Sequence, residues 1–253
     1  MKEYQGEKAI ISLTSWKARI NTVGKTIYSL IKQCPGFHIV LVLSEEEFPK
    51  KENELPEDLM LFVKNNLIEL LWFYDNIGPH KKYYPTMLKY RDVPIITVDD
   101  DYIYPYGFAD ELFNVHLNNP NSIICNFARG ITFKNSQVNS FNNWLHSFNI
   151  PASFDTKKLH PIGMGGILYP ANCFVFTANF NQQIKDLLYA DDILLNILEI
   201  QQKKDIVFLR KPRDTFLKEH TPDIMKTGLW TKNSKGRNDN YIKKYEHVFL
   251  NVK

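Results

Sequence analysis

Four short apolar runs of β-forming residues, at 9–14, 37–43, 68–73 and 95–98, alternate with helix-like stretches through the first hundred residues. No other feature constrains the fold as strongly. Strands joined by helical crossovers lie parallel, and parallel strands are covered on both faces, so each reads as an apolar run. Helices are expected over 22–33, stopped by Cys34-Pro35-Gly36, over 59–66 and over 83–90. The charged stretch 45–58 reads as a solvent-facing loop. A chain of 253 residues has room for one sizeable α/β core. The expectation is a single domain over 1–253, divided into halves at 8–105 and 106–253.

The second half is less regular and reads as a lobe or long loops built onto the sheet. A helix is expected at 108–118 and a strand at 123–126. The glycine-rich loop Gly163-Met164-Gly165-Gly166 runs into Ile167-Leu168-Tyr169-Pro170. It lacks the GxxxxGK spacing of a phosphate-cradling loop, which leaves either flexible backbone at an acceptor site or a tight turn. Cys34, Cys125 and Cys173 are far apart and odd in number, an argument against a disulfide framework or a thiolate zinc site. The first residues lack the apolar core of a signal peptide, and no run of about 18 apolar residues occurs, so the expected location is cytoplasmic. Residues 203–245 carry 12 Lys/Arg against 5 Asp/Glu. That basic segment offers contact with a phosphate-bearing substrate or the inner face of an anionic membrane, or is simply solvated. Nucleic acid is not expected, because no recognisable binding motif accompanies the charge.

The run 95–98 ends in Asp99-Asp100-Asp101. Three adjacent carboxylates repel one another and require water, hydrogen bonds or a cation. Strand alternation would send Asp99 and Asp101 to one side, where both can meet one hard cation; the alternative is a solvated turn. In open α/β sheets ligands bind beyond the carboxyl ends of strands, where Ser15, Asp75 and the Asp run all fall. A second acidic pair, Asp191-Asp192, precedes the apolar stretch 193–200. It either caps a helix or lies inside one running unbroken from Ile184, with Asp191 in its apolar stripe.

Five segments in order, Ile11-Ser12-Leu13-Thr14-Ser15-Trp16-Lys17-Ala18-Arg19, Asn76-Ile77-Gly78-Pro79-His80-Lys81-Lys82-Tyr83, Asp99-Asp100-Asp101, Gly165-Gly166-Ile167-Leu168-Tyr169 and Ala190-Asp191-Asp192-Ile193, resemble the GT-A fold of nucleotide-sugar-dependent glycosyltransferases. The resemblance is strongest to small bacterial enzymes of surface polysaccharide or lipopolysaccharide synthesis. It implies a Rossmann-like, mostly parallel sheet flanked by helices, with a less regular acceptor-binding part at 106–253. It also implies transfer of a sugar from a nucleoside diphosphate sugar, UDP-linked by preference, to a hydroxyl of a glycan or lipid-linked glycan. Mn²⁺ or Mg²⁺ would be the cofactor, with Asp101 as direct ligand, Asp99 on ribose or metal, and Asp100 in either part. Thr14 and Ser15 would lie near base or ribose, Arg19 and Lys82 near phosphate, ahead of Lys81, and Asp75 on the nucleoside. Gly165 and Gly166 would meet the acceptor. Asp192, or else Asp191, would be the base of an inverting displacement, with a retaining transferase as the alternative. His220 or His247 would complete the metal or diphosphate site, each otherwise a structural histidine; read from their neighbours alone, His160 beside the glycine loop is an acceptor contact or a core histidine, and the basic stretch 230–237 a flap over a diphosphate or a surface loop.

Other classes fit less well. A haloacid dehalogenase type phosphotransferase also ends an apolar strand in two Asp, but its motif lies near the start of the chain and continues with Gly or a hydroxyl residue, not Tyr102. A nucleotidylyltransferase would open with a Gly-, Arg- and Lys-bearing loop. A carbohydrate-binding protein suits the 13% aromatic content, but aromatics serve cores first.

Overall fold

The computed structural model describes residues 3–212, 215–218 and 236–253. Its frame is a sheet of seven strands: β1 (Ile10–Thr14), β2 (His38–Ser44), β3 (Glu69–Phe73), β4 (Ile95–Thr97), β5 (Ile123–Cys125), β6 (Ile167–Tyr169) and β7 (Ile206–Phe208). In space the order is β7-β5-β6-β4-β1-β2-β3. β1 pairs in parallel with β2 and β4, β2 with β3, and β7 with β5. Only β6 runs against its neighbours β4 and β5. The result is a mixed α/β fold with a mostly parallel sheet flanked by helices, the architecture that the resemblance implied.

Burial on both faces explains the apolar runs. All seven residues of β2 are buried, and alternate residues of β4 serve different cores. Ile96 packs with α1 (Val23–Gln33), α2 (Glu57–Lys64) and α4 (Phe108–Asn118). Ile95 faces the other layer, formed by α3 (Tyr84–Lys89), α5 (Phe180–Asp186), α6 (Asp191–Gln201) and the C-terminal helices α7 (Asn238–Lys244) and α8 (Glu246–Phe249). Each large aliphatic side chain so placed contributes about 1.5–3 kcal/mol from burial. Cys34, Cys125 and Cys173 are free thiols within these cores. No helix among the described residues is long and apolar enough to cross a membrane.

Two expectations are corrected, and one of two alternatives is decided. The second half is not only a lobe: β5, β6 and β7 extend the same sheet, and β6 is inserted at its centre beside β4. The loop at 45–58 holds a 3₁₀ turn at Lys51–Glu54, and α2 already begins at Glu57, after Pro56. The helix does not run unbroken from Ile184: α5 stops at Asp186, and α6 opens at Asp191.

Candidate active site

β4 ends at Thr97, so Asp99, Asp100 and Asp101 lie in the turn that follows, and strand alternation no longer governs where they point. Buried partners decide instead. The Asp99 backbone N–H donates to Tyr104 Oη at 2.9 Å, which anchors the turn on a fully buried phenol. Asp100 points towards the loop after β1, accepting from Ser15 Oγ at 2.7 Å and from Arg19 Nη1 at 2.6 Å. Its backbone carbonyl accepts from Thr26 Oγ1 of α1 at 3.0 Å. Asp101 lies 3.4 Å from the same Arg19 nitrogen. Burial opposes the Arg19 charge, yet Asp100 and Asp101 outweigh it and raise the guanidinium pKa further.

Asp99 takes a different cation. Its Oδ1 accepts from Lys82 Nζ at 2.9 Å, and the same ammonium pairs with Asp191 Oδ2 at 2.6 Å. Lys82 thus ties together two acidic clusters some ninety residues apart. Its placement follows from the 3₁₀ turn Gly78–Lys82. Gly78 has φ +58°, and a Cβ there would lie 2.7 Å from the Leu188 carbonyl, so only glycine lets this turn press against the segment leading into α6. His80 locks the contact: its Nε2–H donates to the Leu187 carbonyl at 3.0 Å, while Tyr83 Oη donates to Nδ1 at 2.8 Å. Burial pushes His80 down to about 4, so the ring is neutral at pH 7. Lys81 turns away, onto Glu47 and Asn76.

The α6 pair divides into two environments. Burial alone would raise Asp191, but Lys82 and His80 reverse this and hold it below the ordinary carboxylate value. Asp192 is pushed up to about 8 by burial and then by the neighbouring Asp191 charge; Lys82 only partly offsets them. Two adjacent carboxyls with opposed shifts are the usual setting for distinct proton roles. Asp191 is held in the charged form, whereas Asp192, whose Oδ1 has no hydrogen-bond partner among the described residues, is raised towards the neutral form.

Gly163 closes the site. A Cβ at this position would sit 3.0 Å from Lys82 Nζ, 3.3 Å from Asp99 Oδ1 and 3.4 Å from Asp192 Oδ1. Sequence reasoning singled out its neighbours Gly165 and Gly166. Those two face inward, Gly165 against Phe127 and Asn126, and Gly166, at φ +85°, against Phe108 and Leu112. The only signal for Gly163 was membership of the same loop.

Ser15, Arg19, Lys82, the Asp run, Asp191 and Asp192 therefore converge. Thr14 lies beside them, but its hydroxyl donates to the Val42 carbonyl at 2.8 Å. Asp75 is half-buried past β3, at the sheet edge, with no hydrogen bond or ion pair to the cluster among the described residues. His160 is not open to an acceptor, being buried edge-on between Phe141 and Trp144. His247 is exposed and stacks on Tyr245. His220 and residues 230–235 of the expected flap lie outside the described residues.

Among the described residues no group of three or more His, Cys, Asp or Glu can hold a metal ion unaided. The all-oxygen donors at Asp99 and Asp101 fit the alternative, in which Mg²⁺ or Mn²⁺ is held by one or two carboxylates together with substrate phosphates.

No protein-family profile and no curated protein matches the chain. Among solved structures it is similar to the crystal structure of S. aureus TarS 1–349, at 11% identity and a TM-score of 0.48. The match covers 80% of this chain and 58% of that one, so the chain spans less than two thirds of the structure it resembles. A likeness that distant carries no argument about activity.

Proposed function

We propose that this chain is a glycosyltransferase that moves a sugar from a nucleoside diphosphate sugar to a hydroxyl of a glycan or lipid-linked glycan, with inversion. One observation supports it above the others. Lys82 joins Asp99 of the donor half to Asp191 of the acceptor half, and Gly163 lets Lys82, Asp99 and Asp192 approach one another where a Cβ would press on all three. Asp192 takes the acceptor proton as the oxygen attacks the anomeric carbon. The Asp191 charge makes that carboxyl more basic, and Lys82 only partly offsets it. Arg19 lies where its planar fork can meet a phosphate.

Mn²⁺ or Mg²⁺ would be held by Asp101 with Asp99 and would supply positive charge to the departing diphosphate. The pairing of Arg19 with Asp100 and Asp101 favours a second reading, in which Arg19 and Lys82 provide that charge themselves. A thermal melt separates the two. UDP or GDP with Mn²⁺ at about 100-fold over Kd should stabilise by roughly 2.7 kcal/mol, on the order of several degrees, with each component alone doing much less. An equal shift from the nucleotide alone would favour the metal-free reading. No shift with any nucleotide would remove the transferase reading.

Gly163→Ala should lower turnover by roughly ten- to hundredfold, because displacing reacting groups by a fraction of an ångström to an ångström is costly. The melting temperature should barely move. Steady-state rates on the purified variant check this; unchanged turnover would show that Gly163 does not line the reacting centre.

A further inference from the structure

Asp192, Asn196 and Glu199 recur at positions i, i+4 and i+7 of α6 and therefore share one helix face. Opposite them, on the sheet face packed beneath this layer, lie Thr97 of β4 and Tyr169 of β6. Asn196 Nδ2 donates to Glu199 Oε2 at 2.8 Å and to the Leu159 carbonyl at 3.0 Å. Other polar atoms here have no hydrogen-bond partner among the described residues: Glu199 Oε1, Tyr169 Oη and Thr97 Oγ1, with Asp192 Oδ1 at the end nearest the site. Burial first, and then the Glu199 and Asp192 carboxyls, raise the Tyr169 phenol. Orphaned buried polar atoms are rare, and a set of this size would cost as much as a domain's whole net stability.

Bound water removes that cost where a site is polar and roomy, since a buried water makes about three hydrogen bonds. A cavity of about 350 Å³, lined in part by Ile95, Pro170 and Cys173, opens at the opposite end of β4 from the Asp run.

We propose that this seam holds a short file of ordered water, and that Tyr169 and Glu199 act through it as positioning residues for the Asp192 carboxylate. The inference rests on the reading of Asp192 as the base. Burial pushes Glu199 up to about 8, so at neutral pH it is a neutral donor. The phenol is likewise kept protonated by burial. Donors delivered through water hold a carboxylate in one rotamer and favour its charged form.

Two measurements test the proposal. A crystal structure of the wild-type chain should show waters bridging Tyr169 Oη to both Glu199 Oε1 and the Asp192 carboxyl. A dry seam, with side chains repacked onto one another, would overturn the proposal, and this readout does not depend on any variant folding. On nucleotide-sugar turnover, Tyr169→Phe and Glu199→Leu should lower kcat by about tenfold or more with the donor KM unchanged, while Glu199→Gln, which still donates, should retain most of it. Loss of stability alone with kcat intact would also overturn it. Bridging waters without turnover in the wild type would instead remove the transferase reading and leave the water-filled seam standing.

Discussion

Asp192→Asn is expected to lower turnover by roughly 10²–10⁴-fold, the range for losing a general base, with nucleotide binding retained. The amide matches the carboxylate in shape and keeps the helix start, so the loss reports proton transfer rather than folding. The pH profile gives a second signature. A base must be unprotonated to act, and burial with the adjacent Asp191 raises Asp192 to about 8. In the wild type kcat/KM should therefore rise with pH through about 8 and fall about tenfold per unit below it. A carboxylate at its ordinary value would give a flat profile from pH 6 to 8. If the variant loses nucleotide binding as well as turnover, Asp192 is structural.

Lys82→Met is expected to have the largest effect on stability. Burial opposes the Lys82 charge, and Asp191, Asp99 and Asp192 restore it, so the ammonium stays charged and its removal strands the Asp191 carboxylate in the interior. Breaking a buried pair from one side costs about 3–5 kcal/mol. For a chain of this length that is a fall in melting temperature on the order of 10 °C. Adding Asp191→Asn should restore much of the loss, because the uncompensated charge is then gone; Asp99, whose side chain is 30% exposed, can still turn to water. A double variant as unstable as the single one would show that Lys82 acts through packing and not through Asp191.

What the sequence revealed depended on how local the cause was. β1, β2 and β3 were legible because burial on both faces writes itself as an apolar run, whereas the acidic pair left α6 open between starting there and running on from Ile184. β6 was not: Ile167–Tyr169 becomes a strand only through pairing with β4, some seventy residues earlier, and with β5, some forty earlier. The same limit applies to the site. The Asp run could be seen, but its split between Arg19 and Lys82 could not, since β4 stops at Thr97 and the partners come from distant segments. Asp75 looked equivalent to Ser15 as a residue following a strand. Sheet order separates them, with β1 adjacent to β4 and β3 at the edge.

On the proposed function, the two acidic clusters joined by Lys82 form one sugar-transfer site. Release of nucleoside diphosphate from a panel of UDP-, GDP- and other nucleotide-linked sugars, with Mn²⁺ and with water as the default acceptor, tests it without knowledge of the natural acceptor. The account predicts slow release from one donor class by the wild-type chain, lost in Asp192→Asn. Release that is undiminished in Asp192→Asn, or absent from every donor while the chain remains folded, would contradict it.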